Sequence, residues 1–167
     1  MGEIADIVVA GEKVIKLVAN HAGVEVKQGS YVSGFPRGFN GVGLEGGEMR
    51  KVLKPWKQRS DWYEFWSVDF DFSVGMKWLW GGSVNGAGQY VDKVTVTLDV
   101  AYLPVDLTVD VTAKFPDSGH DFTVGDGVLA GIPFTTDVEV KALFGQTVGW
   151  TKSLDCMVKG DGTWEMA

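Results

Sequence analysis

The stretch Lys93-Val94-Thr95-Val96-Thr97-Leu98-Asp99-Val100-Ala101-Tyr102-Leu103-Pro104-Val105-Asp106-Leu107-Thr108-Val109-Asp110-Val111-Thr112 decides the fold class. Val94, Val96, Leu98, Val100 and Tyr102 alternate with Lys93, Thr95, Thr97 and Asp99. Past Leu103-Pro104 the alternation resumes, with Val105, Leu107, Val109 and Val111 against Asp106, Thr108, Asp110 and Thr112. A period of two sends successive side chains to opposite faces of a strand. The stretch therefore predicts a hairpin with one apolar and one wet face.

The same period extends in both directions. Trp62, Glu64, Trp66, Val68, Phe70, Phe72 and Val74 share one face of an upstream segment, with Tyr63, Phe65, Ser67, Asp69 and Asp71 on the other. Downstream, Val138, Val140, Ala142 and Phe144 predict one strand and Val148, Trp150, Leu154, Cys156 and Val158 another. The Gly160-Asp161-Gly162 turn follows, and then an edge segment around Trp164. Gly81 to Gly88 reads as a flexible link, and the glycine-dense stretch from Gly29 to Gly47 as loops and short strands. Seven tryptophans, nine phenylalanines and 23 glycines suit packed strands and tight turns better than a helical bundle, where an interior glycine costs about 1 kcal/mol. Roughly eight to ten short strands without βαβ alternation predict a mainly β chain, an antiparallel β-sandwich.

The first twenty residues read differently. At helical spacing Ile4, Ile7, Val8, Val14, Ile15 and Val18 fall on one face, and Asp6, Glu12, Lys13 and Lys16 on the other. This predicts an amphipathic α-helix packed on the sandwich and capped at Gly23, against which stand the many β-branched residues and Gly11. The expected organisation is a single domain over 1–167, with the helix in 1–22 and the sandwich in 24–167.

Fifteen basic and 22 acidic side chains give a net charge of −7, which repels phosphate backbones at long range, so no nucleic-acid partner is expected. One cysteine, Cys156, permits no internal disulfide and reads as a small buried hydrophobe. No signal-peptide pattern and no long apolar run are present, so the expectation is a chain synthesised soluble. Neither His21 nor His120 stands in a nucleophile or zinc motif, and the glycine-rich stretches lack a phosphate-loop lysine. No enzyme activity, cofactor or metal is therefore expected. Asp117, Asp121 and Asp126 offer oxygen ligands for calcium without the spacing of an EF-hand.

What remains is surface chemistry. Arg50, Lys51, Lys54, Lys57 and Arg59 surround Trp56, and Trp62, Tyr63, Trp66, Trp78 and Trp80 follow closely. Amphipathic rings and basic stems settle at a water–hydrocarbon boundary. This marks Trp56, Trp62, Tyr63, Trp80, Lys54, Lys57 and Arg59 as a membrane-facing set, against the alternative that most of the rings are core.

Trp66-Ser67-Val68-Asp69-Phe70-Asp71-Phe72 with Lys77-Trp78-Leu79-Trp80 resembles the central segment of actinoporins, pore-forming cytolysins of sea anemones with relatives in lower plants. Asp69 stands where that family has proline and Phe72 where it has tyrosine. The resemblance implies a β-sandwich toxin that acts outside the producing cell on target membranes, in defence against animals such as insects. It would dock on choline lipids, with a glycan as the other candidate, then release its helix and oligomerise into a pore. It also implies headgroup contacts from Ser67, Phe70, Phe72 and Trp78. The pore helix would use Ile4, Asp6, Ile7, Val8, Glu12, Val14, Ile15 and Val18. Seventeen helical residues reach about 26 Å, close to a hydrocarbon core of ~30 Å. The alternative is a non-lytic lectin or lipid-binding module whose helix stays docked.

Overall fold

The computed structural model describes residues 7–28, 31–36, 46–58, 69–84, 86–123, 127–142 and 147–167. Over these residues the chain is mainly β, built from antiparallel sheets, with no helix. The strands are β1 (Ile7–Gly11), β2 (Val14–Asn20), β3 (Gly23–Gln28), β4 (Val32–Pro36), β5 (Glu48–Gln58) and β6 (Phe70–Val84). They continue with β7 (Ala87–Tyr102), β8 (Leu107–Lys114), β9 (His120–Asp121), β10 (Ala130–Ala142), β11 (Thr147–Lys159) and β12 (Trp164–Met166). Strands of up to 16 residues make the sheets longer than the sequence reading anticipated.

One sheet has the order β1-β4-β7-β6-β5 and the other β12-β11-β10-β8-β2-β3, with β9 beside β10. Their inner faces share one core. Phe70, Phe72, Val74, Met76, Trp78, Val94, Val96 and Leu98 enter it from the first sheet. Ile15, Leu17, Val109, Val111, Ile132, Val138, Val140, Leu154 and Val158 enter from the second. Apolar area removed from water at about 25 cal/mol per Å² is the main favourable contribution to this packing.

Two expectations are corrected here. The predicted hairpin does not exist: β7 belongs to the first sheet and β8 to the second, and Leu103 to Asp106 carries the chain from one to the other. Alternation reports which face is apolar, not which strand is the neighbour. Here the two apolar faces meet across the core instead of lying side by side. The hairpin partner of β7 is β6, paired through several register shifts as far as Val84↔Ala87, so the predicted glycine link is the irregular end of a ribbon.

The N-terminal helix is the second correction. Over residues 7–20 the chain forms β1 and β2, with Ile7, Val9, Ile15, Leu17 and Ala19 buried in alternation. Ile4 and Asp6 lie outside the described residues. The β-branched residues prevail because sheet pairing accommodates them better than a helix does. Gly11, with φ of 113°, separates the two strands, and a Cβ there would stand 2.6 Å from the Tyr31 carbonyl oxygen. Because β1 pairs with β4 in one sheet and β2 lies between β8 and β3 in the other, this segment stitches the two layers together.

Candidate functional site

The strand pairings place several of the residues singled out in the sequence at one end of the molecule. Gln58, the last residue of β5, pairs with Phe70, the first of β6, and Asp71 pairs with Tyr102 at the end of β7. Asp69 and Asp71 flank Phe70 in sequence, so both carboxylates take the side opposite the buried ring. Gln58, Asp69, Phe70, Asp71 and Tyr102 line a recess of about 260 Å³ at this end.

Its support comes from an aromatic cluster that spans both layers. The Trp150 ring of β11 lies 5.0 Å from Phe70, 5.6 Å from Phe72 and 5.5 Å from Trp56, all steeply inclined to it. Phe70 and Phe72 are themselves 5.2 Å apart. Edge-on contacts of this kind add about 0.5–1.5 kcal/mol per pair beyond area burial. The cluster fixes Phe70 and thereby the carboxylates on either side of it. Lys57 Nζ lies 3.8 Å from Asp71 Oδ2 at the recess rim. Beside the recess, Tyr102 is 56% exposed and Val105, in the crossing between layers, is 67% exposed. They are the most exposed large apolar side chains among the described residues.

The membrane-facing and headgroup sets are redistributed by these positions. Trp78, expected at a headgroup site, is 0% exposed and donates its indole N–H to the Lys159 carbonyl at 3.2 Å. Phe72 is equally buried. Both are core residues, because they occupy the inward positions of the central β6. Trp56 is packed between the layers on Phe72 and Trp150, and Trp80 packs on the core with Gly162 against its ring. Lys54 shares the inward side of edge strand β5 with Val52 and Trp56, whereas Lys57 takes the solvent side. Of the headgroup set, only Phe70 lines the recess. Arg59, Trp62, Tyr63 and Ser67 lie outside the described residues.

Sequence reasoning missed Tyr102 and Val105 because both continue an apolar alternation and so read as core. Leu103-Pro104 was the signal available: proline there interrupts the strand and frees its neighbours from the inward positions. It also missed a second apolar patch, on the solvent face of β5 and β6. There exposed Met49 lies beside Leu79 and exposed Leu53 beside Gly75, with Lys51 and Lys77 directly paired in the row between them. Lys51 is neutralised by Asp99 at 3.1 Å.

No group of three or more metal-ligating side chains occurs among the described residues. Asp121 accepts bonds from the Thr123 amide and hydroxyl, Asp117 is exposed, and Asp126 lies outside the described residues. His120 stacks on Phe122, and His21 stands in the exposed turn between β2 and β3. No helix among the described residues is long and apolar enough to cross a membrane. No family model, curated protein or solved structure matches the chain.

Proposed function

We propose that this chain is a non-lytic lipid-binding β-sandwich, which docks on choline-bearing membranes through the end formed by Tyr102, Val105 and the recess at Phe70. The observation that carries the reading is that recess: two carboxylates and a phenol ring gathered over a rigid aromatic cluster, beside two exposed apolar side chains. A quaternary ammonium is weakly hydrated, and it is held by carboxylate charge together with an aromatic face. Lys57 is placed to meet the phosphate of the same zwitterionic headgroup once the ammonium replaces it at Asp71. Tyr102 and Val105 then enter the interfacial layer, where an amphipathic ring and a small apolar side chain are both favoured.

The net charge of −7 suits a zwitterionic lipid surface better than an anionic one. Insertion of an N-terminal helix is not part of this reading, because residues 7–20 would have to leave both sheets and expose the core they cover. A titration with phosphocholine, followed by the tyrosine and tryptophan fluorescence, tests the recess. Saturable binding that falls by about tenfold in Asp69→Asn or Asp71→Asn, equivalent to ~1.4 kcal/mol, supports the reading. Equal responses from the wild type and both variants contradict it.

A further inference from the structure

The solvent face of the second sheet carries a feature independent of the recess. Three depressions follow one another along β8 and share their walls. The first, of about 540 Å³, is lined by Lys114, Pro133, Thr135, Asp155, Met157 and Glu165 among others. The second, about 440 Å³, is lined by Val14, Lys16, Thr112, Lys114 and Asp137, and the third, about 200 Å³, includes Lys16, Asp110, Thr112, Glu139 and Lys141. Lys114 belongs to the first two, and Lys16 and Thr112 to the last two, so together they form one trough. It runs about 13 Å along β8 from Asp110 to Lys114 and then turns across β10 and β11 toward β12, which fits a short linear oligomer.

The charges along the trough are unevenly satisfied. At one end Lys141 binds Asp110 at 2.8 Å and lies 3.7 Å from Glu139; in the Lys16–Thr112–Asp137 row, Asp137 accepts from the Ser153 hydroxyl at 2.8 Å. In the middle, Lys16 and Lys114 have no ion pair or side-chain hydrogen bond among the described residues. They stand diagonally across the β2–β8 pairing, where Lys16 faces Thr112 and Val14 faces Lys114. Beyond them Thr135 lies between Lys114 and Asp155 in one cross-strand row, and Met157 pairs with Glu165 in the next. Two uncommitted ammonium groups are followed by hydroxyl and carboxylate acceptors over a floor of Pro133 and Met157.

We infer that this trough binds a linear oligosaccharide bearing a single carboxylate. The acid group would sit between Lys16 and Lys114, with sugar hydroxyls along Thr112, Thr135, Asp155 and Glu165. Hydroxyl-rich ligands use short polar side chains of both donor and acceptor kind, and the C–H faces of their rings pack on proline and methionine. A polyanion is disfavoured by Asp137, Asp155 and Glu165 and by the net charge of −7. A folded peptide partner would want large exposed anchors, and among the trough residues none is an exposed large hydrophobic side chain.

Calorimetry with two acidic probes and their neutral counterparts decides the matter: sialyllactose against lactose, and xylotriose carrying one glucuronate against xylotetraose. The proposal expects each acidic sugar to bind about tenfold more tightly than its neutral counterpart. It also expects Lys16→Glu/Lys114→Glu to remove that preference while phosphocholine binding at the recess is unchanged. Because both lysines are exposed, the variant keeps the fold, which circular dichroism verifies. Acidic and neutral sugars binding equally, or no binding of any sugar up to ~10 mM, overturns the inference and leaves the recess reading untouched. Loss of vesicle binding in the lysine variant also overturns it, since the trough would then be a lipid surface.

Discussion

Cys156 lies in β11 facing the core, and burial pushes its thiol up to about 11, against a smaller opposing contribution from the Thr136 hydroxyl. The thiolate is the reactive form. Iodoacetamide at about pH 8 is therefore expected to leave Cys156 unmodified in the folded protein and to alkylate it fully in guanidinium, a difference read by mass spectrometry. Asp161 behaves in the opposite sense. Burial alone would raise its carboxyl, but the hydroxyl and amide of Thr163, at 2.6 and 3.0 Å, outweigh that and hold it below the usual range. A group lowered on folding stabilises above its unfolded value and loses that contribution as pH falls through the folded value. Asp161→Ala should cost about 1 kcal/mol in denaturant unfolding near neutrality, and progressively less below the ordinary carboxylate range. At Gly75 the cause is space: a Cβ would lie 2.5 Å from Thr97 Oγ1 and 2.6 Å from the Val52 carbonyl oxygen. Backbone cannot yield as a side-chain tip does, so Gly75→Ala should lower stability by roughly 1–3 kcal/mol.

At the scale of elements, the decisive pair is β1 and β2. Ile15 is wholly buried beneath the β2–β8 pairing, so Ile15→Asp places an unpaired charge in the core and should abolish the folded state near neutral pH. Ile15 on a detachable helix would tolerate the same change at the cost of docking alone, and thermal melts of the variant separate the two. Much of the sheet structure was legible in the sequence, since Val94, Val96, Leu98, Val109, Val111, Val138, Val140, Leu154 and Val158 are all inward as their alternation required. Partnership was not legible. Pairing is a property of two distant segments, and the alternation of β7 and β8 is the same whether they share a sheet or face each other across the core. In residues 7–20 the apolar positions satisfy both periods, and the β-branched content was the better guide. The recess was half legible: Phe70 was marked, but Gln58, Asp69, Asp71 and Tyr102 come together only through the β5–β6–β7 register.

For the whole molecule, two packed sheets leave one end with an acidic, aromatic-backed recess and two protruding apolar side chains, and leave the N-terminal strands tied into both layers. A body so stitched binds a membrane without giving up a segment to it. The most direct measurement is flotation of the protein with phosphatidylcholine–sphingomyelin vesicles that carry a self-quenched dye. The account predicts that the wild type floats with the vesicles and releases no dye, and that Tyr102→Ala/Val105→Asp stays at the bottom of the gradient. Dye release by the wild type, or flotation unchanged in that variant, would contradict it.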